Sequence, residues 1–392
     1  MRTGVMNTNT ALNIADLRHL ARKKLPKIVF DYIEGGAEDE NGLAENRAAF
    51  SRYRLLPRYL TDCGAINLKT ALFGKTYAAP FGIGPTGIAG LFHPGGDLLL
   101  ASAAFNVNIP FVMSGTSSAA IESLPPEHAK NAWYQLYTGR DHKIDEDIVR
   151  RARDAGIQTL VLTVDSEVRT KRERDLRNQF FAPRLKFSLL LEALMHPAWV
   201  AGYLRAGGRP AFSNFAPYAG PHADTRATMN VMMGHLPGVP TWNDVERYRR
   251  LWPGALVVKG LLDPEDARRA VTLGIDGIVV SNHGGRQLDR APSPLDMLPL
   301  IRAAVGDGFP LIFDSGIRRG ADIITALCLG AQFVLLGRAT LYGLAVGGLA
   351  GVSKAVEILR HEVDTTGRQM GCADIAAFDR SRIFMPSAPA QI

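Results

Sequence analysis

The chain has 392 residues, of which 46% are hydrophobic and 21% charged, a globular composition that excludes collagen-like and low-complexity chains. Its three cysteines are widely separated, which argues against a disulfide framework and a structural zinc site, and no metal site is predicted. The formal net charge of +7 suits anionic ligands. The basic residues are dispersed, without an aromatic-interleaved basic motif, so we expect no nucleic-acid partner.

Eight short apolar runs are spaced along the chain. Their apolarity is continuous, as in parallel strands buried on both faces, and helical patterns such as residues 145–156 and 264–274 lie between them. This alternation predicts a (β/α)8 TIM barrel with a long insertion after strand four, and we expect residues 1–392 to form a single domain. The predicted strands are Ala79–Gly84, Ile109–Met113, Ala132–Leu136, Thr159–Thr163, Ala255–Val258, Gly277–Val280, Pro310–Phe313 and Gln332–Leu336.

Polar residues follow the carboxyl end of every predicted strand. One such residue alone is more often a cap or a turn, but eight in succession indicate a shared site, because barrel enzymes build their active sites at this face. The eight groups are Pro85-Thr86-Gly87, Ser114, Gln135 with Tyr137, Thr163 with Asp165, Lys259, Ser281-Asn282-His283, Asp314-Ser315-Gly316 and Gly337-Arg338.

The loops after the seventh and eighth predicted strands, residues 314–320 and 336–338, combine glycine N–H groups with arginines. Barrels bind phosphate at this position, and guanidinium groups and helix N-termini suit it. We therefore predict a phosphate site here; the alternative is that Arg318 and Arg319 are surface charges.

His283 is the predicted acid–base residue, because it follows a buried strand and precedes two glycines that allow close ligand approach. Arg286 could hold a carboxylate, and Asp165 could orient a protonated imidazole. Lys259 could form a Schiff base or stabilise an anion. The basic stretch 169–174 supplies a second anion clamp, but its spacing leaves open which arginine points inward.

Four segments carry a family resemblance: residues 25–37, 133–137, 258–260 and Ser281-Asn-His-Gly-Gly-Arg-Gln-Leu-Asp289. From about residue 13 to residue 375 the chain resembles the FMN-dependent L-2-hydroxy acid oxidases and dehydrogenases. The resemblance implies an FMN cofactor and the oxidation of an (S)-2-hydroxy acid to the 2-oxo acid.

The resemblance also implies which residues hold FMN. The phosphate would meet Gly316, Arg318, Gly337 and Arg338, with Asp314 and Ser315 beside them. The ring would contact Pro85, Thr86, Gly87, Ser114, Gln135, Thr163 and Ser281. Lys259 would lie near N1 and the C2 carbonyl, where a cation stabilises a reduced, anionic flavin; this role replaces the Schiff base.

By the same resemblance, Arg172 and Arg286 would bind the substrate carboxylate, with Tyr32 as an added hydroxyl donor. Arg172 is preferred because it lies seven residues after Asp165; its competitors are Arg169, Lys171 and Arg174. Tyr137 would hydrogen-bond the substrate hydroxyl or carboxylate. His283 would take a proton and Asp165 would stabilise the imidazolium. The sequence leaves open whether that proton is the α-proton or the hydroxyl proton.

Two positions bear on the substrate. Thr116 is small where short-chain oxidases of the family carry a bulky tryptophan, and this leaves room for a larger side group. Gly87 stands where the oxidases typically carry alanine, and the mandelate and membrane lactate dehydrogenases are similar to this chain in having glycine. These residues predict an aromatic substrate such as (S)-mandelate; the alternatives are an L-lactate dehydrogenase and a soluble oxidase that makes hydrogen peroxide.

Residues 177–240 form the predicted insertion. Aromatic and leucine residues, including the apolar stretch Ser188–Leu204, lie there beside Arg184, Lys186 and Arg205. This composition suits a segment in the membrane interface, and the resemblance implies the same; the alternative is a helix packed on the barrel or on another subunit. We therefore predict a peripheral protein on the cytoplasmic side of the inner membrane that passes electrons to a quinone, rather than a soluble cytoplasmic protein that uses oxygen. The resemblance further implies a homotetramer.

Overall fold

A computed structural model of the chain describes residues 7–180 and 187–385, and its centre is a closed barrel of eight parallel strands. The strands are β1 (Arg54–Leu55), β2 (Thr70–Leu72), β3 (Lys75–Tyr77), β4 (Phe81–Ile83), β5 (Phe111–Ser114), β6 (Ala132–Tyr137), β7 (Thr159–Thr163), β8 (Ala255–Leu261), β9 (Gly277–Val280), β10 (Leu311–Phe313), β11 (Phe333–Leu336) and β12 (Ile383–Phe384). Strands β4 to β11 close the barrel in chain order, with β11 pairing with β4. The predicted (β/α)8 barrel is confirmed.

Helices surround the barrel. They are α1 (Ile14–Lys24), α2 (Lys27–Glu34), α3 (Asn41–Ala48), α4 (Gly96–Asn106), α5 (Pro126–Ala129), α6 (His142–Asp154), α7 (Glu173–Arg177), α8 (Phe187–Leu194), α9 (Pro197–Arg205), α10 (Thr225–His235), α11 (Trp242–Leu251), α12 (Pro264–Thr272), α13 (Pro294–Val305), α14 (Gly320–Cys328) and α15 (Arg338–Gln369). The two predicted helical patterns correspond to α6 and α12. Each begins at an aspartate, Asp141 or Asp263, whose side chain accepts a hydrogen bond from a backbone N–H of the first turn.

The barrel interior is filled with side chains. Residues from seven strands form one buried cluster with the antiparallel hairpin β2–β3, which contributes Leu72 and Tyr77. The Trp133 indole N–H donates to the Tyr77 hydroxyl at 3.2 Å, so the largest interior side chain keeps a polar partner. The strand residues in this cluster are Val112, Trp133, Val161, Val257, Val279, Ile312, Phe333 and Leu335.

Strand register brings the polar ends of neighbouring strands to one level. Tyr137 pairs with Thr163, and Thr163 pairs with Lys259. Between Lys259 and Leu261 the register with β9 shifts, and Gly260 has φ +107° at this irregularity. An ideal Cβ at Gly260 would lie 2.6 Å from Cβ of Asp165, so only glycine lets the two strand ends approach.

Residues 164–254 separate β7 from β8 and contain α7 to α11. In this stretch α8 and α9 form a helical pair that rests on the 3-10 helix Ala89–Leu91, because the Trp199 indole donates to the Leu91 carbonyl and the Tyr203 hydroxyl to the Gly90 carbonyl. Residues 181–186 of the predicted membrane segment, which include Arg184 and Lys186, lie outside the described residues.

Within the described ranges, α15 is the helix that has the length and apolar composition to span a membrane. The apolar window of α15 is 67% buried inside the protein, and the backbone is non-helical at Gly347 and Gly348. These two features are typical of a pair of core helices joined at a kink.

Candidate active site

A cavity of about 670 Å³ opens at the carboxyl ends of the barrel strands. Its wall includes most of the predicted site residues: Tyr32, Pro85, Thr86, Gly87, Thr116, Tyr137, Thr163, Arg172, Lys259, His283, Arg286, Asp314, Ser315, Gly316, Arg318, Gly337 and Arg338. The other four stand behind this wall: Asp165, Ser114 and Ser281 hydrogen-bond to lining residues, and Gln135 accepts from the Ser114 hydroxyl and the Gly115 N–H. The fold therefore gathers residues from eight strand ends and from α2 around one cavity.

His283 and Asp165 form a buried pair, with 2.8 Å between Nδ1 of the imidazole and Oδ1 of the carboxylate. Burial lowers the pKa of His283, and this outweighs the opposing effect of Asp165. Burial alone would raise the pKa of Asp165, but His283 and Lys259 lower it overall. At neutral pH the pair is therefore a neutral imidazole beside a carboxylate. Because Asp165 accepts at Nδ1, the lone pair of Nε2 faces the cavity.

The backbone around His283 is held in a rare conformation. His283 has φ +58°, and Gly284 and Gly285 that follow have φ +68° and +74°. A non-glycine residue in this region is strained and persists when its surroundings fix it, a feature that clusters at functional sites. The Ser281 hydroxyl accepts from the His283 N–H at 3.0 Å and helps to fix this turn.

Tyr137 lies next to the free face of His283, with 3.5 Å between its hydroxyl oxygen and Nε2. Burial, together with the negative charge of Asp165, raises the pKa of Tyr137, so its hydroxyl stays protonated and can donate to a ligand. A substrate hydroxyl placed between these two groups would contact a donor and a base at once.

Two arginines, Arg172 and Arg286, line the same cavity and lie near enough for their charges to interact. Burial and the nearby charge of Arg172 lower the pKa of Arg286 to about 9, which still leaves it cationic at neutral pH. Nη1 of Arg286 donates to the backbone carbonyls of Tyr32 and Gly35 at 2.9 and 3.1 Å, so the end of α2 positions this guanidinium. Arg286 also stacks over the Tyr32 ring, 5.1 Å from its centroid.

The competitors of Arg172 have protein partners. Arg174 pairs with Glu40, and Lys171 pairs with Glu173 at 3.0 Å. Arg169 reaches the cavity, but its Nη2 donates to the carbonyls of Met233 and Leu236. Arg172 lines the cavity beside Arg286, and this placement favours it as the second carboxylate-binding residue.

Lys259 is buried and lies 3.0 Å from Oδ2 of Asp314, and its Nζ donates to the Ser281 hydroxyl at 2.8 Å. Burial opposes the charged form, but Asp314 and Asp165 outweigh it and raise the pKa of Lys259. This lysine is a fixed cation in the cavity wall. A lysine that must be neutral to attack a carbonyl would need the opposite shift, so the geometry argues against the Schiff base.

The predicted phosphate end of the cavity is formed by Ser315, Gly316, Arg318, Gly337 and Arg338. Ser315 and Gly316 have φ +86° and +88°, and an ideal Cβ at Gly316 would lie 2.2 Å from the Asn46 carbonyl oxygen. Arg338 is half-buried and donates to the carbonyls of Ile33, Gly35 and Gly284 at 2.8 to 3.0 Å. Gly337 precedes the N-terminus of α15, whose N–H groups suit an anion.

The residues predicted to contact the flavin fit such a ring. Thr86 Oγ1, Gln135 Nε2 and Thr163 Oγ1 are buried without a hydrogen-bond partner among the described residues, and Thr86 and Thr163 line the cavity. Buried polar groups need partners, and the heteroatoms at the edge of an isoalloxazine would supply them. Together with the cation of Lys259 and the glycine–arginine loops, this donor set fits FMN.

The sequence interpretation missed two parts of the cavity. One is Gln287, whose Nε2 donates to the Ser166 hydroxyl at 2.6 Å and so ties the loop after β9 to the loop after β7. The other is an apolar segment at the end of α10 that contributes Met232, Met233, Leu236 and Pro237. Gln287 stands within the resembling segment 281–289 and could have been found there; the α10 segment carries no motif.

Fold and cavity together define a barrel enzyme that holds a phosphate-bearing cofactor beside an acid–base pair. The sequence profile of the FMN-dependent dehydrogenases matches residues 21–385, and the chain belongs to this family. The predicted family and FMN cofactor are thereby confirmed. The roles of the individual site residues stay predictions.

Relatives and solved structures agree with this assignment. The chain is 43% identical over 367 residues to (S)-mandelate dehydrogenase of Pseudomonas putida, covering 93% of this chain and 92% of the relative. It is 38% identical over 369 residues to L-lactate dehydrogenase of Yersinia pestis (strain Pestoides F), covering 94% and 97%. The crystal structure of the monotopic membrane protein (S)-mandelate dehydrogenase superposes with a TM-score of 0.90 at 41% identity, covering 96% and 99%.

Proposed function

We propose that this FMN-dependent dehydrogenase oxidises an aromatic (S)-2-hydroxy acid, such as (S)-mandelate, to the 2-oxo acid. The observation that carries the proposal is the His283–Asp165 pair at 2.8 Å, with Tyr137 and two arginines in the same cavity. Such a site offers a base, a hydroxyl donor and a bidentate carboxylate clamp, which are the groups that a 2-hydroxy acid needs.

When bound, FMN would accept the two electrons of this oxidation and the second of the two protons that the substrate loses. Arg172 and Arg286 bind the substrate carboxylate and fix the orientation of the α-carbon. Tyr137 donates to the substrate hydroxyl or carboxylate. His283 takes one proton from the substrate at Nε2, and the negative charge of Asp165 stabilises the resulting imidazolium. Lys259 holds a positive charge in the cavity wall and would offset negative charge on a bound flavin.

The aromatic preference is supported by cavity shape. Thr116 contributes a small side chain to the wall, and an ideal Cβ at Gly87 would lie 2.5 Å from the Thr116 hydroxyl oxygen, so these two positions pack against each other. Apolar residues such as Phe212 and Met232 also line the cavity. The similarity to an L-lactate dehydrogenase makes lactate the second candidate substrate.

We also propose that the protein associates peripherally with a membrane through α8 and α9. These helices expose apolar side chains that the barrel does not cover: Leu191 (49% exposed), Leu194 (65%), Met195 (72%) and Leu204 (75%). Arg205 is exposed at the end of the same patch. An apolar surface beside a basic residue suits the interface of an anionic bilayer, and the similarity to the monotopic mandelate dehydrogenase supports this proposal.

A quinone is the proposed electron acceptor, with oxygen as the alternative. Val168 and Leu176 line the cavity yet are 70% and 60% exposed, so its rim is apolar and suits a lipid-soluble acceptor. The cytoplasmic face of the inner membrane and a homotetramer are further parts of this proposal, and both rest on the family resemblance. Light scattering of the detergent-solubilised enzyme tests the tetramer.

The substrate test is anaerobic mixing of the FMN-loaded enzyme with (S)-mandelate and, separately, with L-lactate. We expect faster flavin bleaching by mandelate, slow recovery in air and fast recovery with a water-soluble quinone. Bleaching mainly by lactate would overturn the aromatic preference. Rapid recovery in air with peroxide would make the protein an oxidase.

The membrane test is co-sedimentation with vesicles of anionic phospholipid. The double variant Leu194→Glu/Met195→Glu should stay in the supernatant while it retains flavin. Leu300→Glu is the matched control, because Leu300 is 53% exposed on α13, which belongs to the barrel shell. Equal sedimentation of all three proteins would argue against membrane association through this patch.

A further inference from the structure

Beside the active site lies a buried polar pair that catalysis as described above does not use. Nε2 of His235, the last residue of α10, is 2.8 Å from Oδ1 of Asp145 in α6. The Asp145 side chain is fully buried, and its carboxylate also accepts from the Gly139 N–H at 3.0 Å and from the Tyr248 hydroxyl at 2.9 Å. Burying a carboxylate so completely is costly unless it is paired and hydrogen-bonded, and its three partners tie Asp145 to α10, to α11 and to the loop after β6.

What the pair fixes is the segment of residues 232–237, which we call the α10 wall. Four of its residues line the cavity: Met232, Met233, Leu236 and Pro237. The wall comes from the long insertion, so the barrel strands themselves do not position it. His235 is the residue of this wall that points away from the cavity and into the protein, where its ring packs against Gly139.

The wall has further attachments on both sides. The His235 carbonyl accepts from the Arg140 N–H at 3.0 Å, and the Gly238 N–H donates to the Thr138 carbonyl at 2.9 Å. These bonds join the wall to the loop that follows Tyr137. On the other side, Nη2 of Arg169, which lines the cavity, donates to the Leu236 carbonyl at 2.8 Å.

We propose that the α10 wall contacts the side group of the substrate and that the Asp145–His235 pair holds this wall in position. By positioning the wall, the pair sets the preference for a substrate with a large side group. The inference rests on the proposed function. The polar groups for the carboxylate and hydroxyl come from the loops after β6, β7 and β9, whereas Met232, Met233, Leu236 and Pro237 give the same cavity an apolar surface that suits the side group. A phenyl ring offers this wall a large apolar contact, whereas the methyl group of lactate offers a much smaller one.

The test compares kcat/KM for (S)-mandelate and L-lactate in His235→Ala and in Gly139→Ala. The added methyl in Gly139→Ala would lie 1.8 Å from His235 Nε2, so it displaces the ring without removing it. In each variant kcat/KM for mandelate should fall about tenfold or more, mainly through KM, while kcat/KM for lactate changes less than about threefold. Met233→Ala, which alters the wall directly, should shift the same ratio.

His196→Gln is the matched control, because His196 also pairs with a carboxylate of the insertion, Glu192 at 3.4 Å, but does not line the cavity. It should leave the mandelate-to-lactate ratio unchanged. If His235→Ala yields no folded holoenzyme, Gly139→Ala and Met233→Ala decide the outcome. A ratio that stays within twofold of the wild type in the folded variants overturns the proposal. Failure of both acids to bleach the wild-type flavin would instead overturn the proposed function.

Discussion

The Asp165→Asn variant tests the acid–base pair most directly. The carboxylate lies 2.8 Å from His283 Nδ1, and the two side chains are only 12% and 18% exposed, so solvent cannot replace the lost charge. A hydrogen bond to a charged group contributes about 1.5–3 kcal/mol, and this contribution grows when the imidazole becomes cationic as it takes the proton. At about 1.4 kcal/mol per tenfold, the rate of flavin reduction should fall by roughly 10- to 150-fold.

The variant should also change the pH profile in a defined direction. Asp165 raises the pKa of His283 against the effect of burial, so its removal lowers that pKa further. The acid limb of the rate of flavin reduction, which reports the loss of the neutral base, should therefore move to lower pH. Anaerobic stopped-flow reduction by (S)-mandelate, measured across pH, gives the rate and the limb together.

Asp263→Asn is the control, because Asp263 caps α12 through its side chain and asparagine caps a helix equally well. It should leave both the rate and the pH limb unchanged. The contrary result is a rate of flavin reduction in Asp165→Asn that is within threefold of the wild-type rate, together with an acid limb at the wild-type pH. Asp165 would then not support the base, and the assigned pair would be wrong.

Three further outcomes are expected. Gly260→Ala should place a Cβ 2.6 Å from Asp165 at φ +107°, lowering the free energy of unfolding by about 1–3 kcal/mol and slowing flavin reduction; an unchanged melting temperature and rate would contradict this. Thr116→Trp should reduce kcat/KM for mandelate by about tenfold or more with a smaller effect on lactate, and a uniform loss for both acids would count against a size filter. Because burial lowers the pKa of His283, the wild-type rate of flavin reduction should rise with pH and reach half its maximum below the ordinary imidazole pKa of about 6.5; a half-maximal point above that value would refute the assignment of a neutral buried base.

The barrel could be predicted from the sequence because its strands are buried on both faces. Continuous apolarity marks such strands, and the bounds of β7 and β9 agree with the prediction to the residue. The first predicted strand, Ala79–Gly84, is shorter in the structure, where β4 covers Phe81–Ile83. Strand ends are set by hydrogen-bond pairing with neighbours, which a single apolar run does not encode.

The location of the active site could be predicted from the polar residues at the strand ends. The outer wall of the cavity could not be predicted in this way. The two consecutive glycines Gly284 and Gly285 indicate an unusual turn beside His283 already in the sequence. The α10 wall has no comparable signal, because Met232 and Leu236 read as ordinary apolar residues of an insertion. Their position depends on the contact between His235 and Asp145, which lies 90 positions earlier in the chain. A single sequence does not reveal such a long-range contact.

The placement of Arg286 and Arg338 also depends on long-range contacts that a single sequence does not reveal. Arg286 and Arg338 both donate to backbone carbonyls at the end of α2, with Gly35 as a shared acceptor. Unpaired carbonyls at a helix C-terminus attract cations, so α2 holds both guanidinium groups in place before any ligand arrives. At the other end of α2, the Lys27 N–H donates to Glu192 of α8 at 2.5 Å. One helix therefore contacts both the apolar α8–α9 pair and the two arginines of the cavity.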